Sequence, residues 1–474
     1  MRLFLTLSLC FAANAHALSV KPIEFKAANG KTVSAELGTF QVPAHHANPD
    51  GPTMTLSFVR FGATTNRPGN PIVYLAGGPG GSGIDTAKGR RFPLFMALRQ
   101  FGDVIALDQR GTGMSDPPPR CRADHPYPVD EPFTEAAYLE YARRAAKDCQ
   151  AWWRDQGVDL SAYNTRESAD DLETLRRELD VDRLDFWSIS YGTHLAMAAI
   201  RRMGDEHIGR VILASPEGLD QTVKLPARWD GYLHRLAALV ASNPETARVF
   251  PDLEGTLRKV LDGLEKKPAR VQVTPNGADQ PVTISLGPVA VRYTLALLSK
   301  DPSGAARIPI MVYGLAAGRY ESLARKIYGF VYAQPVSFGA MSMAMDIASG
   351  ISDERLERVR KQAETAFMGD ILNYPMPQFR GLLEIPVLGD DFRAPISSSV
   401  PALVLTGTLD GRTFPEAHAE VLEQFSNGRE LVIENAGHDL FMASPKVTSA
   451  IETFMRGESP PRHIAIPPPE FVVP

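Results

Sequence analysis

The stretch SISYG, residues 188–192, is where residue types and spacing first indicate chemistry in this chain. It joins a short apolar run to a helical stretch, so Ser190 is predicted to lie in a sharp turn that exposes its hydroxyl group. Such a turn requires small residues two positions before and after the serine, because the strand and helix backbones pass close together. Gly192 meets this requirement, and Ser188 is nearly as small. Ser188 itself follows Phe186, which is too large, so Ser190 is the candidate nucleophile.

A nucleophilic serine needs a general base, and His438 is the candidate. It stands in ENAGHDLF, in a loop after a predicted strand, and it follows the serine in chain order as in hydrolases with a G-x-S-x-G turn. Other histidines are less well placed: His45, His46 and His463 in terminal segments, His194 on the helix after Ser190, and His234 in a helical segment.

Three carboxylates are candidates for orienting His438. Asp410, in LVLTGTLDGRTFP, follows a buried strand and precedes the histidine in the chain, which favours it. Glu217, after the preceding strand, is the alternative. Asp439 adjoins His438, and adjacent residues rarely position their side chains for a bond to Nδ1, so we expect Asp439 to be an ordinary polar loop residue.

The stretch LAGGPGGSG follows the first predicted parallel strand and is a candidate oxyanion hole. Consecutive glycines allow backbone N–H groups to point at a developing negative charge. Pro79 has no N–H, so Gly78 is the expected donor from this loop, together with the amide of Tyr191. A phosphate-binding role is disfavoured because the spacing G-x-x-x-x-G-K-[ST] is absent.

A scaffold for these residues is predicted by six short apolar runs: PIVYLAGG, DVIALDQRG, RLDFWSIS, RVILASPEG, PALVLTGT and RELVIENAG. Such runs are typical of central parallel strands that helices cover on both faces. In the helical stretch SADDLETLRREL, Ser168 is the expected N-cap, with Asp170 and Asp171 in the first turn. The predicted fold class is α/β, a doubly wound and mostly parallel sheet with ligands at the carboxyl ends of its strands.

The alternation of strands and helices is interrupted once, which predicts five regions. Residues 18–216 and 397–460 form the two parts of the core, and 217–396 form a large, mainly helical lid insertion with one hairpin. The chain before the first apolar run alternates like a hairpin or meander. Residues 461–474 are a proline-rich tail that cannot continue a helix.

Residues 1–17, MRLFLTLSLCFAANAHA, have the pattern of an export signal. A positive start precedes an apolar stretch too short to span a bilayer, and Ala-His-Ala provides a cleavage site. We therefore expect a periplasmic or secreted protein without a stable membrane span once the signal is removed. Cys121 and Cys149 then remain, and an oxidising compartment favours a disulfide that closes a loop of about 28 residues. Two unpaired buried thiols are the alternative.

Composition excludes other classes of function. The chain has 474 residues, of which 44% are hydrophobic and 22% charged, which suffices for a large α/β domain with an insertion. A net charge of -5 and scattered basic residues argue against a nucleic-acid partner. No cysteine spacing resembles a metal site, and no cofactor is expected. The oligomeric state is not indicated.

Five motifs together resemble those of a known family: GGPGGSG, DQRGTGMSDPP, SISYG, GTLDGRTFP and AGHDLF. They are similar to motifs of the α/β-hydrolase-fold serine peptidases of the prolyl aminopeptidase and tripeptidyl aminopeptidase type, from about Thr39 to Met442. The cysteine pair resembles that of the exported tripeptidyl branch. Two positions differ from the family pattern, because Ala76 replaces a frequent histidine and Ser188 a glycine.

The resemblance implies a catalytic triad of Ser190, Asp410 and His438, with an oxyanion hole formed by Gly78 and Tyr191. It also implies a site for the free α-ammonium group of a peptide, which requires carboxylates near the cleft. The candidates are two, Glu217 and Asp346, although solvated or ion-paired acids of the insertion are the simpler interpretation.

The predicted function is that of an exported serine hydrolase that releases N-terminal residues or short peptides. A carboxylesterase or other hydrolase of small esters is the alternative, since it would use the same triad without an amine-binding acid. A catalytically silent binding protein on the same scaffold is a third possibility. Epoxide hydrolase and dehalogenase chemistry are disfavoured because they need an aspartate at position 190.

Overall fold

A ten-stranded sheet forms the centre of the computed structural model, which describes residues 18–275 and 280–474. Among these residues, two further sheets of two strands each lie outside the large sheet. The predicted signal, residues 1–17, lies outside the described residues. The strands are β1 (Ser19–Lys26), β2 (Thr32–Pro43), β3 (Thr53–Phe61), β4 (Ile72–Leu75), β5 (Val104–Asp108), β6 (Cys121–Arg122), β7 (Leu184–Ile189), β8 (Ile208–Ala214), β9 (Ala269–Val273), β10 (Val282–Leu286), β11 (Ser337–Phe338), β12 (Ala402–Gly407), β13 (Gly428–Glu434) and β14 (His463–Ala465). Their order in the large sheet is β1-β2-β3-β5-β4-β7-β8-β12-β13-β14.

The six predicted apolar runs form the parallel centre of this sheet. They are β4, β5, β7, β8, β12 and β13, and each pairs in parallel with its neighbour. The chain opens with the antiparallel meander β1-β2-β3, as the alternating pattern predicts. The predicted α/β class with a mostly parallel sheet is confirmed.

Helices cover both faces of the sheet and also form most of the segment between β8 and β12. They are α1 (Gly83–Lys88), α2 (Phe92–Leu98), α3 (Glu135–Asp155), α4 (Thr165–Glu178), α5 (Tyr191–Met203), α6 (Pro226–Ser242), α7 (Pro244–Val249), α8 (Leu253–Lys266), α9 (Pro288–Leu298), α10 (Pro302–Ala305), α11 (Ile308–Ala316), α12 (Glu321–Ile327), α13 (Ala340–Ser349), α14 (Asp353–Ala363), α15 (Asp390–Arg393), α16 (Pro415–Leu422) and α17 (Pro445–Met455). Alternate residues of β4 face opposite sides, since Val73 and Leu75 join the core with α4 and α5. Ile72 and Tyr74 join the core with α2 and α17.

The start of α4 differs from the prediction. The helix begins at Thr165, and its N-cap is Asn164, whose side chain accepts a hydrogen bond from the Glu167 amide. The prediction of Ser168 as the cap is therefore wrong, and Asp171 lies beyond the first turn. Asp171 is instead buried and accepts hydrogen bonds of 2.6 and 2.7 Å from Arg110, so a tertiary ion pair determines its place rather than the helix dipole.

The segment between β8 and β12 carries helices α6 to α15 and has a hydrophobic core of its own. Trp229, Tyr232 and Leu257 lie in this core, which is distinct from the two cores that flank the sheet. β9 and β10 pair as the predicted antiparallel hairpin, and residues 276–279 of its connection lie outside the described residues. The five predicted region boundaries stay a prediction.

Two connections tie the helical segment and the α/β core together. β6 of the core pairs with β11 of the helical segment. Within the core, a disulfide joins Cys121 on β6 to Cys149 on α3, with the Cα atoms 5.6 Å apart. In the tail, β14 extends the sheet, and the Val472 amide donates to the Ala306 carbonyl at 3.2 Å. Among the described residues, no helix combines the length and the apolar character that a bilayer crossing requires.

Candidate functional site

Ser190 lies at the corner between β7 and α5, as predicted for a nucleophile. Its φ of 55° falls in a region that residues with side chains rarely adopt, so the turn is strained. A Cβ on Gly192 would lie 2.1 Å from the Leu75 carbonyl oxygen, which explains why this position must be glycine. The Ser190 carbonyl accepts from the Thr193 amide at 2.8 Å, which begins the helix.

Ser188, the other serine of the motif, is buried within β7. Its hydroxyl donates a hydrogen bond of 2.9 Å to the Ile212 carbonyl on the neighbouring strand β8. The small side chain therefore fills a position where the strands pass closely. Of the two serines, Ser190 alone lines the cavity described below.

His438 and Asp410 contact each other directly. His438 Nδ1 lies 3.0 Å from Asp410 Oδ2, and the carboxylate is fully buried. Asp410 also accepts hydrogen bonds from the Arg412 amide at 2.8 Å and from the Thr413 amide at 3.1 Å. Burial alone would raise the pKa of Asp410, but the charge and hydrogen bond of His438 hold this pKa well below its usual range. Asp410 is therefore an anion that fixes the orientation of the imidazole.

The two competing acids have other partners. Glu217 Oε1 lies 2.9 Å from Lys224 Nζ, and Asp439 Oδ1 lies 2.8 Å from an Arg91 nitrogen. Asp410 rather than Glu217 is thus the carboxylate beside His438.

Ser215 connects the loops of the acid and the base to the sheet next to the serine. The Ser190 amide donates to the carbonyl of Ala214, the last residue of β8, at 3.1 Å. The hydroxyl of Ser215, the residue after Ala214, donates to the His438 carbonyl at 2.8 Å. Among the hydrogen bonds of the described residues, none joins the side chains of Ser190 and His438. Catalytic hydrogen bonds often tighten only when substrate binds.

The glycine loop lies directly against the serine. A Cβ on Gly77 would lie 3.0 Å from Ser190 Cβ, and Gly78 lines the same cavity as Ser190. Tyr191 is the first residue of α5, and an amide in the first turn has no acceptor within its own helix. Both predicted oxyanion donors therefore lie at the serine corner.

The motif DQRGTGMS holds this glycine loop in place. Asp108 Oδ1 accepts from the Ser82 hydroxyl at 2.6 Å and from the Ile84 amide at 3.1 Å, while its Oδ2 accepts from the Met114 amide at 2.8 Å. The side-chain amide of Gln109 donates to the Ala76 carbonyl at 3.0 Å. Asp108 thus joins the turn of the motif to the residues that follow the glycine loop, and Gln109 joins it to the residue that precedes the loop.

A cavity of about 200 Å³ opens onto Ser190, and four charged side chains line it. They are Glu217, Lys224, Asp346 and Arg412. The structure therefore brings both predicted ammonium-binding acids to the cavity of the predicted nucleophile.

The charges in this cavity perturb one another. Burial, followed by the charge of Glu217, raises the pKa of Asp346 to about 7. Burial lowers the pKa of Lys224, and the neighbouring Glu217 opposes this shift. A carboxyl group that titrates near neutral pH beside a nucleophile is typical of a binding site rather than of a solvated surface.

Sequence reasoning missed three residues at or behind the site. Lys224 gives no motif signal, because only the fold brings it to Glu217. Arg412 belongs to a recognised motif, and its place two residues after Asp410 could have drawn attention to it. His418, one turn into α16, is buried with Nε2 2.9 Å from Thr413 Oγ1, and this hydroxyl lies 2.9 Å from Asp410 Oδ2.

The chain is similar to several known proteins. A family model described as alpha/beta hydrolase fold matches residues 70–445. Over 233 residues the chain is 29% identical to a tripeptidyl aminopeptidase of Streptomyces lividans, a match that covers 43% of this chain and 41% of the relative. Over 170 residues it is 29% identical to serine protease Hip1 of Mycobacterium tuberculosis, which covers 34% of this chain and 32% of the relative. A solved structure of a thermophilic esterase from Thermogutta terrifontis is 15% identical, with a TM-score of 0.36 over 88% of this chain and 98% of that one.

The chain thus spans about two fifths of the first curated relative and about a third of the second, at 41% and 32% of their lengths. The matches confirm the predicted resemblance to serine peptidases of this fold.

Proposed function

Because this chain belongs to the α/β-hydrolase fold family, we propose that it is a serine hydrolase with Ser190 as its nucleophile. Ser190 Oγ attacks the carbonyl carbon of the substrate while its proton moves to His438 Nε2. Asp410 accepts the hydrogen bond of Nδ1 and stabilises the imidazolium. The amides of Gly78 and Tyr191 donate to the oxyanion that forms on the carbonyl oxygen.

The second half of the proposed reaction regenerates the enzyme. His438 gives its proton to the leaving nitrogen or oxygen, the bond to the acyl carbon breaks, and an ester of Ser190 remains. Water then attacks this ester and passes one proton to His438, which returns it to Ser190 Oγ as the acid product leaves. The reaction consumes one water molecule for each bond broken and needs no cofactor.

Within this class, an aminopeptidase fits the site best. The observation that carries this proposal is that the carboxylates of Glu217 and Asp346 line the cavity that holds Ser190. A peptide with a free N-terminus carries an α-ammonium group close to its first scissile carbonyl. A carboxylate in the same small cavity can therefore hold this ammonium while the carbonyl lies against Ser190.

We expect a preference for free N-termini of about 10- to 150-fold, because a hydrogen bond to a charged group contributes about 1.5–3 kcal/mol. The test compares kcat/KM for a peptide arylamide with a free N-terminus and for the same arylamide with an acetylated N-terminus. The ester p-nitrophenyl acetate, which has no ammonium group, reports on the triad alone.

Two variants show whether the carboxylates cause the preference. Asp346→Asn should lower kcat/KM for the free arylamide and leave hydrolysis of the ester within a factor of about two. Glu217→Gln should have a smaller effect on the free arylamide, because Glu217 is already paired with Lys224. Asp262→Asn, an exposed acid on α8, is the matched control and should behave as the wild type. Equal rates for the free and acetylated arylamides would contradict the aminopeptidase and favour the esterase alternative.

The protein is further proposed to act in the periplasm or outside the cell. The signal-like pattern of residues 1–17 and the contact of Cys121 with Cys149 support this proposal, since disulfides persist in oxidising compartments. N-terminal sequencing of the mature protein from its native host should begin at Leu18. A mature protein that begins at Met1 and stays in the cytoplasm would contradict the proposal.

A further inference from the structure

Arg412 places a positive charge at the cavity of Ser190, and the proposed reaction does not use this charge. Its side chain is exposed and lines the cavity together with Ser190. Among the described residues, the guanidinium group has neither a hydrogen bond nor an ion pair with another side chain. Its backbone is fixed nevertheless, because the Arg412 amide donates to Asp410 Oδ1 at 2.8 Å.

The other charges of the cavity leave Arg412 without a counterion. Lys224 and Glu217 neutralise each other at 2.9 Å. Asp346 makes no side-chain hydrogen bond or ion pair with any described residue, and it is not within ion-pair distance of Arg412. Asp346 and Arg412 thus face the same cavity, and neither side chain has a partner among the residues that the structure describes.

Two such charges favour a ligand that carries both complementary charges. A carboxylate withdrawn from water without a partner is unfavourable, so a ligand whose ammonium group pairs with Asp346 gains binding energy. A carboxylate on the same ligand adds a contact with the exposed guanidinium group of Arg412. The planar guanidinium group matches a carboxylate with two parallel hydrogen bonds. At about 200 Å³, the cavity lies below the roughly 300–1,000 Å³ of pockets for drug-sized ligands, which favours a peptide of only a few residues.

We infer that the cavity binds a zwitterion, with Asp346 holding the α-ammonium group of a short peptide and Arg412 holding a carboxylate of the same peptide. The inference rests on the proposed aminopeptidase function and narrows its substrate class. The carboxylate is either the C-terminus of a peptide only a few residues long or an acidic side chain close to the N-terminus. Both sources present the same chemistry to the guanidinium group.

The experiment measures kcat/KM for paired substrates that differ only in the carboxylate. One pair is a tripeptide with a free N-terminus, as its C-terminal acid and as its C-terminal amide. The other pair is an arylamide with an N-terminal glutamate and the same arylamide with glutamine. In at least one pair, the wild-type enzyme should prefer the acid by tenfold or more.

Arg412→Gln should reduce that preference to about one, through a loss of kcat/KM for the acid that exceeds any loss for the uncharged member by about tenfold or more. The substitution keeps the backbone N–H that Asp410 accepts, so the acid of the triad remains in place. Arg412→Lys should retain part of the preference. Arg270→Gln, an exposed arginine on β9 away from the cavity, is the matched control and should retain all of it.

The substrate pair in which the wild-type enzyme prefers the acid identifies the source of the carboxylate. A preference below twofold in both pairs would overturn the inference, as would an equal loss of kcat/KM for the acid and the neutral member in Arg412→Gln. Failure of the proposed function has a different signature, because free and acetylated N-termini would then react equally fast whatever the C-terminus.

Discussion

Asp346 is expected to reduce the stability of the folded protein at neutral and alkaline pH, and Asp346→Asn should remove this effect. Burial, followed by the charge of Glu217, raises the pKa of Asp346 from 3.8 to about 7. The folded state thus binds this proton more tightly than the unfolded state does. Stability is therefore expected to decrease as the pH rises from the unfolded pKa to the folded one, and to stay reduced above it.

The magnitude follows from the size of the pKa difference. About three pKa units at 1.36 kcal/mol each correspond to about 4 kcal/mol when the whole range is crossed. Between pH 5 and the folded pKa of about 7 lie about two of these three units, and above this pKa the stability changes little further. The unfolding free energy of Asp346→Asn, relative to the wild type, should therefore increase by about 3 kcal/mol across this interval.

The assay is urea unfolding followed by tryptophan fluorescence at pH 5, 6, 7 and 8. Differences between the two proteins that do not depend on pH cancel, because only the change with pH is compared. Asp262→Asn, the exposed control on α8, should stay within about 0.5 kcal/mol of the wild type at every pH. A difference between Asp346→Asn and wild type that stays constant from pH 5 to pH 8 would refute the reasoning, since Asp346 would then titrate like a solvated acid.

The same substitution should impair the proposed function. A carboxylate kept at an unfavourable position is typical of functional sites, where stability is given up for binding. Asp346→Asn is expected to be more stable at pH 8 and less able to bind a free N-terminus, whereas a purely structural carboxylate would not produce this opposite pair of effects.

Three further outcomes are expected. Asp410→Asn should lower kcat by about 10⁴-fold without unfolding the protein, because the amide no longer holds His438 in the reactive tautomer; a loss below tenfold would argue against this role. Replacing Cys121 and Cys149 by serine should lower the unfolding free energy by about 3 kcal/mol, as expected for a cross-link that closes a loop of this length, and unchanged denaturation midpoints would contradict it. Gly192→Ala should cost about 1–3 kcal/mol, because the added methyl group overlaps a strand carbonyl, and an alanine variant with full activity and stability would show that the turn is not constrained.

The sequence predicts the central strands and the serine corner well because both depend on local signals. Blunt apolar runs are typical of buried parallel strands, and the requirement for small residues around Ser190 acts over two positions on either side. Chain order and motif position favour Asp410 as the partner of His438, with Glu217 as the alternative. In the structure, Glu217 forms an ion pair with Lys224 instead, and no local sequence pattern predicts this contact.

Other features depend on contacts between distant segments and escape a local interpretation. Ser168 has the residue type of a helix cap, yet Asn164 caps α4 because the helix continues one turn further towards the N-terminus. Arg412 and Asp346 come from different parts of the chain, and only the packing of the helical segment over the strand ends brings them to one cavity. Their opposite charges therefore could not be related to each other from the sequence.

Covalent labelling tests the central claim, that Ser190 is activated as a nucleophile, most directly. A fluorophosphonate probe should form one stoichiometric adduct, which peptide mass spectrometry should locate on Ser190. Labelling should be absent in Ser190→Ala and strongly slowed in His438→Ala, while Ser188→Ala should still be labelled. An adduct on another residue, or a labelling rate that does not depend on His438, would contradict the proposed mechanism.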